Sequence, residues 1–252
     1  MAAATEAREP ADAPRLAVIV PTLDEAGCIP KLLSALATAE GAGRPDEVVV
    51  VDGGSRDRTR ELCRQAGVRV LQSPPGRGVQ LAAGARAVSS EVLLFLHADH
   101  RPGPGALAVL RRAYCDRATE WTAMRQVIDS DGRFYRWVER AADARSRRGM
   151  VYGDSGLAVR REVYEAVGGF PELPLFEDVD LSVRLRQRSP VHFLAEAELH
   201  ISSRRWQREG RVACTVRNWA LRMAYGMGVS PATLVRFYPQ GRERCEEGTS
   251  SS

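Results

Sequence analysis

The sequence predicts an α/β fold in which a mostly parallel sheet is flanked by helices. Short apolar runs alternate with helix-spaced segments through the first half of the 252-residue chain. Polar or glycine-rich residues follow each apolar run directly. Strands that alternate with helices need crossover connections, which make neighbouring strands parallel. Ligands bind at the carboxyl ends of such strands, so we expect these polar residues to share one edge of the sheet.

The first half contains the strands behind this prediction. A run of β-branched residues ends at Pro21 and predicts the first strand at 16–20, with further strands at 47–51, 68–71 and 92–96. The helical spacing of Ile29, Leu32, Leu33 and Leu36 predicts a helix over 29–39, and others are predicted at 57–66 and 79–88.

The second half is predicted to be mainly helical. Its elements are a strand at 121–128, helices at 134–148, 162–167, 177–188, 207–227 and 231–238, and short strands at 192–194 and 198–202. We expect one domain over 15–240, divided into a nucleotide-binding half at 15–118 and an acceptor half at 119–240 that ends in helices. Residues 1–14 and 241–252 are predicted to be disordered.

Composition excludes some classes of protein and leaves others open. The net charge of +4 suits an enzyme that handles phosphates, a nucleic-acid binder or a protein at an anionic membrane. The cysteines lack C-x-x-C spacing, which argues against a zinc knuckle, a thioredoxin motif or an iron–sulfur cluster. We expect no transmembrane helix and no signal peptide, and therefore a cytoplasmic protein.

A polar or glycine-rich cluster follows each predicted strand of the first half. These clusters lie at 21–25, 52–55, 76–80 and 97–99. Asp52 suits a ribose or base contact, although a helix cap or a turn residue is an equal alternative. His97-Ala-Asp99 suits a divalent ion that bridges a diphosphate, with a simple turn as the alternative. Gly76-Arg-Gly78 is no dinucleotide fingerprint, because position 81 is leucine and the loop follows the third strand.

Two later clusters also carry suitable chemistry. Glu177 and Asp178 open a predicted helix, where acids serve either as caps or, for Asp178, as a general base. Asp180 completes a D-x-D spelling, but on a helix it points away from Asp178. The segment Arg204-Arg205-Trp206 suits diphosphate binding under an aromatic cover, or else a solvated basic stretch.

In this order, the clusters resemble the GT-A (Rossmann-like) glycosyltransferases of family 2. The shared segments include VIVPTLDEAG, DEVVVVDGGS, LLFLHAD, PLFEDVDLSVRL and SRRWQREG, and the likeness extends over about 16–238. The chain is most similar to the small soluble bacterial radical-SAM/selenodomain-associated transferases. His97-Ala-Asp99 in place of a D-x-D motif and the Arg204-Arg205-Trp206 segment are typical of that group, although His97 does not supply the first carboxylate of a full D-x-D. The chain departs from the group's pattern at Ser155, where glutamine is expected.

The resemblance implies an inverting, metal-assisted transfer from a nucleotide-diphosphate sugar, with UDP as the expected nucleotide, to an unidentified acceptor. Asp178 would be the base, with Glu177 beside it. Asp99 would bind Mg²⁺ or Mn²⁺, with His97 as a weaker ligand and His200 as a further candidate. The donor would contact Pro21, Thr22, Leu23, Glu25, Asp52, Gly53, Ser55, Arg77, Gln80, His97, Ala98, Asp154, Arg204, Arg205 and Trp206.

Two alternatives from other classes stay open. A nucleotidyltransferase would need a lysine-bearing glycine loop after the first strand, and Lys31, the only lysine, lies in the next helix. A non-enzymatic binder of nucleic acid or membranes would use 207–227, where arginines stand near Trp219 and Tyr225. We interpret that helix as a packing element, or as part of a homodimer contact formed by 207–237. We expect the protein to bind no nucleic acid. Peripheral contact with the inner face of the membrane stays open.

Overall fold

A single eight-stranded sheet runs through both halves of the chain. The computed structural model describes residues 13–238, so nearly all of the two segments predicted to be disordered lies outside the described residues. The strand order is β3-β2-β1-β4-β7-β6-β8-β5. The strands are β1 Leu16–Thr22, β2 Glu47–Asp52, β3 Arg69–Gln72, β4 Val92–Phe95, β5 Arg101–Pro102, β6 Trp121–Ile128, β7 Ala158–Arg160 and β8 His192–Ile201.

Helices cover both faces of this sheet. They are α1 Ile29–Ala37, α2 Thr59–Gln65, α3 Arg77–Ala87, α4 Ala106–Ala113, α5 Arg133–Ser146, α6 Arg161–Ala166, α7 Glu177–Arg188, α8 Arg204–Glu209, α9 Arg211–Gly226 and α10 Pro231–Leu234. Short 3₁₀ turns lie at Gly41–Gly43, Gly153–Ser155 and Val235–Phe237. The predicted α/β class with a mostly parallel sheet is confirmed.

Strand β1 shows how the sequence produces the two layers. Every residue of β1 is buried, and it pairs in parallel with both β2 and β4. Leu16, Val18 and Val20 pack into the core beneath α1, whereas Ala17 and Ile19 pack into the core beneath α3. A strand that is covered on both faces needs apolar residues at every position, which explains the continuous run.

Strand direction creates the edge on which polar residues gather. Strands β1, β2, β3, β4, β6 and β8 run the same way, while β5 and β7 are antiparallel to their neighbours. The carboxyl ends of β1, β2 and β4 therefore lie along one edge with that of β8. That edge brings residues from positions 21 to 206 within reach of one another.

Several predicted elements differ from the observed ones. The two short strands predicted at 192–194 and 198–202 form the single strand β8, whose residues 195–197 bulge out of the pairing with β6. The helix predicted at 207–227 is broken at Gly210, where φ is 83°. Helix α4 and strands β5 and β7 were not predicted.

Candidate active site

A cavity of about 1300 Å³ opens at the carboxyl edge of the sheet. Its walls contain most of the predicted donor, metal and catalytic residues, drawn from six different segments of the chain. These are Pro21, Thr22, Leu23, Glu25, Arg77, Gln80, His97, Ala98, Asp99, Asp154, Asp178, Arg204, Arg205 and Trp206. Three of the four predicted strand-exit clusters thus meet at this cavity, and the cluster at 52–55 lies behind its wall.

The loop after β1 is held by the loop after β2. Asp24 has a left-handed backbone with φ of 56°, and its N–H donates to Ser55 Oγ at 2.9 Å. The Glu25 N–H donates to Thr59 Oγ1 at 2.8 Å. In return, Asp24 Oδ1 accepts the Arg56 N–H at 2.7 Å. Ser55 therefore braces the loop that forms the cavity wall and does not itself line the cavity.

Asp52 and Gly53 also lie behind the wall. The Asp52 carboxylate is fully buried, and its Oδ2 accepts the N–H groups of Gly54 and Ser55, both at 3.0 Å. These bonds close the turn after β2, so Asp52 is a turn residue and not the cap of α2, which begins at Thr59. Gln80 reaches between the two strand ends, where its Nε2 donates to the carbonyls of Thr22 and Val51.

The end of β4 holds two histidines and the candidate metal ligand. The backbone N–H of His97 donates to His100 Nδ1 at 3.1 Å, and the two rings lie 4.8 Å apart. Burial lowers the pKa of His97 well below its ordinary value, and the nearby His100, Arg77 and Arg205 lower it further. His97 is therefore a neutral imidazole. The partly exposed Asp99 places Oδ1 3.9 Å from His100 Nε2.

Asp178 faces this histidine across Gly153. Its Oδ2 accepts the Gly153 N–H at 2.5 Å, and its Oδ1 accepts the Val179 N–H at 2.7 Å. A Cβ on Gly153 would overlap His97 Nε2 and lie 3.2 Å from Asp178 Oδ2. Only glycine allows these two side chains to approach the same backbone position, and the carboxylate that results is held in one orientation.

Glu177 points the other way and is hidden from the cavity. Its side chain is 1% exposed and forms an ion pair with Arg77, with Oε1 2.6 Å from Nε. The predicted D-x-D spelling is likewise not a chelating pair, since Asp180 forms an ion pair with Arg184 at 2.5 Å. Of these three acids, only Asp178 lines the cavity.

A wall of aromatic and arginine side chains closes the cavity beside α5 and α9, and the sequence did not indicate it. The Tyr152 ring lies between two guanidinium groups, with Arg145 Cζ at 3.9 Å and Arg222 Cζ at 4.7 Å from its centroid. Arg145 also pairs with Asp154 at 2.9 Å. Burial acts to raise the pKa of Asp154, but Arg145 and Arg222 outweigh it and the pKa is lowered. Asp154 therefore stays ionised.

The segment after β8 contributes side chains in three different settings. Arg204 Nη2 contacts Cys28 Sγ at 2.6 Å, which ties this segment to the start of α1. Arg205 donates to the Tyr238 hydroxyl across the cavity. The Trp206 ring packs edge-on against Tyr135, with 6.2 Å between centroids. All three line the cavity, as the diphosphate-binding interpretation requires.

His200, the further candidate metal ligand, contacts acids outside the cavity. Its Nδ1 is 3.1 Å from Asp129 Oδ1, and its Nε2 is 3.8 Å from Glu198 Oε2. It pairs with Arg101 of β5 and does not line the cavity. The structure therefore does not bring it to Asp99.

The donor set fits a divalent ion that takes most of its ligands from substrate and water. Within residues 13–238, no group of three His, Cys, Asp or Glu side chains is arranged to hold a metal ion. Asp99 supplies one partly exposed carboxylate to the cavity wall. Magnesium is commonly held in this way, by one or two carboxylates together with substrate phosphates.

Residues 17–168 match the family described as glycosyl transferase family 2, which is more than half of the chain. The chain belongs to glycosyl transferase family 2. A curated family relative is the undecaprenyl-phosphate 4-deoxy-4-formamido-L-arabinose transferase of Pseudomonas paraeruginosa (strain DSM 24068 / PA7), which is 28% identical over 169 residues. This match covers 60% of the chain and 49% of the relative, so the chain spans about half the length of that protein.

Solved structures share the fold of this chain. The mannosyltransferase PcManGT from Pyrobaculum calidifontis, in complex with GDP-Man and Mn²⁺, has a TM-score of 0.64 at 21% identity; the match covers 90% of this chain and 66% of that one. TarS 1–349 of S. aureus, in complex with UDP-GlcNAc, has a TM-score of 0.63 at 18% identity, covering 75% and 58%. The chain is a family 2 glycosyltransferase, and neither alternative class is retained.

Proposed function

We propose that this glycosyltransferase moves a sugar from a nucleotide-diphosphate donor to an acceptor hydroxyl with inversion at the anomeric carbon. The observation that carries the proposal is the position of two carboxylates on one cavity. Asp99 comes from the end of β4 and Asp178 from the first turn of α7, and both line the same walls. One is suited to the leaving diphosphate and the other to the attacking hydroxyl.

The nucleotide would lie along the edge formed by the loops after β1 and β4. Thr22, Arg77 and Ala98 line this part of the cavity. Asp52, Gly53 and Ser55 would act from behind by holding the β1 loop in shape. The nucleotide-sugar complexes of PcManGT and TarS support this class of donor for the chain, with UDP as the proposed nucleotide.

Asp99 would hold the divalent ion, Mg²⁺ or Mn²⁺, which supplies charge neutralisation for the departing diphosphate when bound. His97 stands nearby as a neutral imidazole and is retained as a weaker ligand. Arg77 and Arg205 add positive charge on the same side of the cavity, where they stabilise the negative charge that develops as the sugar–phosphate bond breaks.

Asp178 would act as the base. The acceptor hydroxyl gives its proton to an Asp178 oxygen while its own oxygen forms the bond to the anomeric carbon. The bond from that carbon to the phosphate oxygen breaks at the same time, and the diphosphate leaves with the electron pair. The hydrogen bonds from Gly153 and Val179 fix the carboxylate in the orientation that this in-line attack requires.

The test is calorimetric titration of UDP, GDP and dTDP, each with and without Mn²⁺, into the wild type, Asp99→Asn and Asp178→Asn. We expect the wild type to bind UDP tightly only when Mn²⁺ is present. In Asp99→Asn, Mn²⁺ should no longer increase the affinity for UDP. Asp178→Asn should bind nucleotide like the wild type, yet fail to release UDP from a UDP-sugar. Metal-independent binding, or no nucleotide binding at all, would overturn the proposal.

Finer assignments belong to the same proposal. We place the chain in the radical-SAM/selenodomain-associated group because of His97-Ala-Asp99 and the Arg204-Arg205-Trp206 segment. We also propose that 15–240 act as one catalytic unit, since the strands of both halves join one sheet. We propose the cytoplasm as its location. Within the described part of the chain, the helices are too short or too polar to cross a bilayer.

A further inference from the structure

Helix α9 has an apolar face that is turned outward. Its exposed residues are Arg211, Val212, Ala213, Val216, Trp219, Ala220, Met223 and Gly226, and Met227 follows directly. The large apolar side chains among these form the α9 stripe, defined as Val212, Val216, Trp219, Met223 and Met227. Each is between 56% and 75% exposed. A surface helix normally presents polar residues to solvent, so this face needs an explanation.

The polar residues of α9 point inward, into the cavity. Thr215, Arg217, Asn218 and Arg222 all line the cavity wall. Below them, Leu221 packs with Leu175 and Leu234 in a small core, and Tyr225 stacks on Phe176. The other faces of the helix are thus occupied by the protein itself, and the α9 stripe is the face left over. This also explains why the basic and aromatic residues of 207–227 do not interleave on one surface.

The charge around the stripe indicates an anionic partner. Residues 210–238 contain four arginines and no aspartate or glutamate. Two of these arginines are turned to the cavity, where Arg217 also pairs with Glu209, so the border of the stripe is formed by the other two. Arg211 is exposed beside the first residue of the stripe, and Arg236 is exposed next to Phe237, another outward-facing apolar side chain. An outward apolar face bordered by arginines is the pattern of a helix that lies in the headgroup region of an anionic bilayer.

Neither of the segments outside the described residues is suited to cover the stripe. Residues 239–252 contain no large aliphatic or aromatic side chain, and Met1 is the only one in residues 1–12. A second copy of the chain is disfavoured by charge, because a surface formed by two copies of 210–238 offers no carboxylate to the exposed Arg211 and Arg236. The membrane surface is the occupant that satisfies both the apolar face and its basic border.

We propose that the α9 stripe docks this protein on an anionic lipid surface. The helix lies in the plane of the bilayer, with its large side chains among the acyl chains and its arginines at the phosphates. Trp219 and Met223 belong both to the stripe and to the cavity wall, so the cavity opens beside the membrane. This docking does not depend on the glycosyl transfer proposed above.

The test is co-sedimentation of the full chain with vesicles of phosphatidylcholine alone, and with vesicles in which a quarter of the lipid is phosphatidylglycerol. We expect binding to the anionic vesicles that weakens with added salt, and little binding to phosphatidylcholine. Substituting the stripe residues outside the cavity, Val212→Gln, Val216→Gln and Met227→Gln together, should reduce affinity for anionic vesicles at least about tenfold, since interfacial binding scales with buried apolar area.

A matched pair of variants separates the basic border from overall charge. Arg211→Gln with Arg236→Gln should weaken vesicle binding, whereas Arg112→Gln with Arg117→Gln removes the same charge from exposed positions elsewhere and should not. Equal loss in both pairs would overturn the proposal, as would vesicle binding that survives the triple variant. Light scattering that reveals a dimer broken by the triple variant, without vesicle binding, would assign the stripe to a second copy instead.

Discussion

Arg77 and Glu177 form an ion pair that joins the first turn of α3 to the first turn of α7, with Nε 2.6 Å from Oε1. Burial raises the pKa of Glu177 and the adjacent Asp178 raises it further, against the opposing effect of Arg77. The second oxygen of Glu177 is buried and has no hydrogen-bond partner among the described residues. We therefore propose that Glu177 is a positioning residue that sets the start of α7, so that Asp178 faces the cavity.

Glu177→Gln and Asp178→Asn should separate stability from catalysis. Loss of the buried charged partner in Glu177→Gln should lower the free energy of unfolding by about 1–3 kcal/mol, because Arg77 loses a charge-assisted hydrogen bond. Asp178→Asn should leave that free energy within about 0.5 kcal/mol of the wild type and stop donor turnover. Urea unfolding and nucleotide release from a UDP-sugar measure the two effects. If Glu177→Gln were fully stable and inactive, Glu177 would be the base.

Gly153→Ala should inactivate the enzyme without removing any functional group. The added Cβ would overlap His97 Nε2 and crowd Asp178 Oδ2, so both side chains must leave their observed positions. We expect a loss of at least about tenfold in donor turnover, since misplaced catalytic groups lose their orientation. Gly43→Ala is the control, because its Cβ would meet Ala108 only at ordinary contact distances of 3.6 and 3.8 Å. Equal activity of the two variants would refute this role for Gly153.

The fold was predictable from sequence where its signals are local. Strands β1, β2 and β4 contain continuous apolar runs that stop at a proline or a polar residue, and such runs need no tertiary information to be recognised. Strand β7 has only three residues and exists through its pairing with β4 and β6, which no local pattern announces. The break at Gly210 was visible as a glycine, but the amphipathic pattern on either side of it dominated the prediction.

The site was predictable as a set of clusters, though not as a set of orientations. Asp52 was expected to contact the nucleotide and Glu177 to stand beside the base, and both carboxylates are buried behind the cavity wall. The positions of Arg145, Tyr152 and Arg222 carry no sequence signal, because three separate segments meet there only in the folded chain. Which face of its backbone a side chain occupies is decided by packing, and that information is absent from a single sequence.

Glu47 should make part of the stability of the fold sensitive to acid. Its carboxylate accepts the Ser89 N–H at 2.9 Å and the Ser90 hydroxyl at 2.7 Å. Burial acts to raise the pKa of Glu47, but these hydrogen bonds outweigh it and the pKa is lowered. Since the folded protein holds the proton less tightly than the unfolded chain does, the stabilisation is present above about pH 4.3 and is lost as the pH falls through the folded pKa.

Glu47→Gln tests this dependence. At pH 7 the variant should be less stable than the wild type by about 1 kcal/mol, the usual scale for such hydrogen bonds. The difference should shrink as the pH is lowered below about 4.3, where the unfolded wild-type carboxyl takes up its proton. Urea unfolding at a series of pH values measures it. A difference that stays constant down to pH 3 would mean that the charge of Glu47 contributes nothing.

Gly78 should prove to be a packing residue and not a phosphate-binding one. A Cβ at this position of α3 would overlap the carbonyl oxygen of Pro171 and lie 3.2 Å from the Glu177 Cβ. The Gly76-Arg-Gly78 spelling therefore reflects the close approach of the loop before α7, which lies across the start of α3. Gly78→Ala should lower the free energy of unfolding by about 1–3 kcal/mol, because backbone on both sides must shift.

The comparison that decides this is nucleotide binding at a temperature where the Gly78→Ala variant is still folded. If the glycine serves packing, the variant should lose more in stability than in UDP affinity. Any change in UDP affinity in the presence of Mn²⁺ should then come only from displacement of Arg77, the neighbouring residue. If instead the glycine admits a phosphate to the backbone, stability should hold while affinity falls. The overlap with the Pro171 carbonyl favours the first result, because a backbone oxygen already occupies the space beside Gly78.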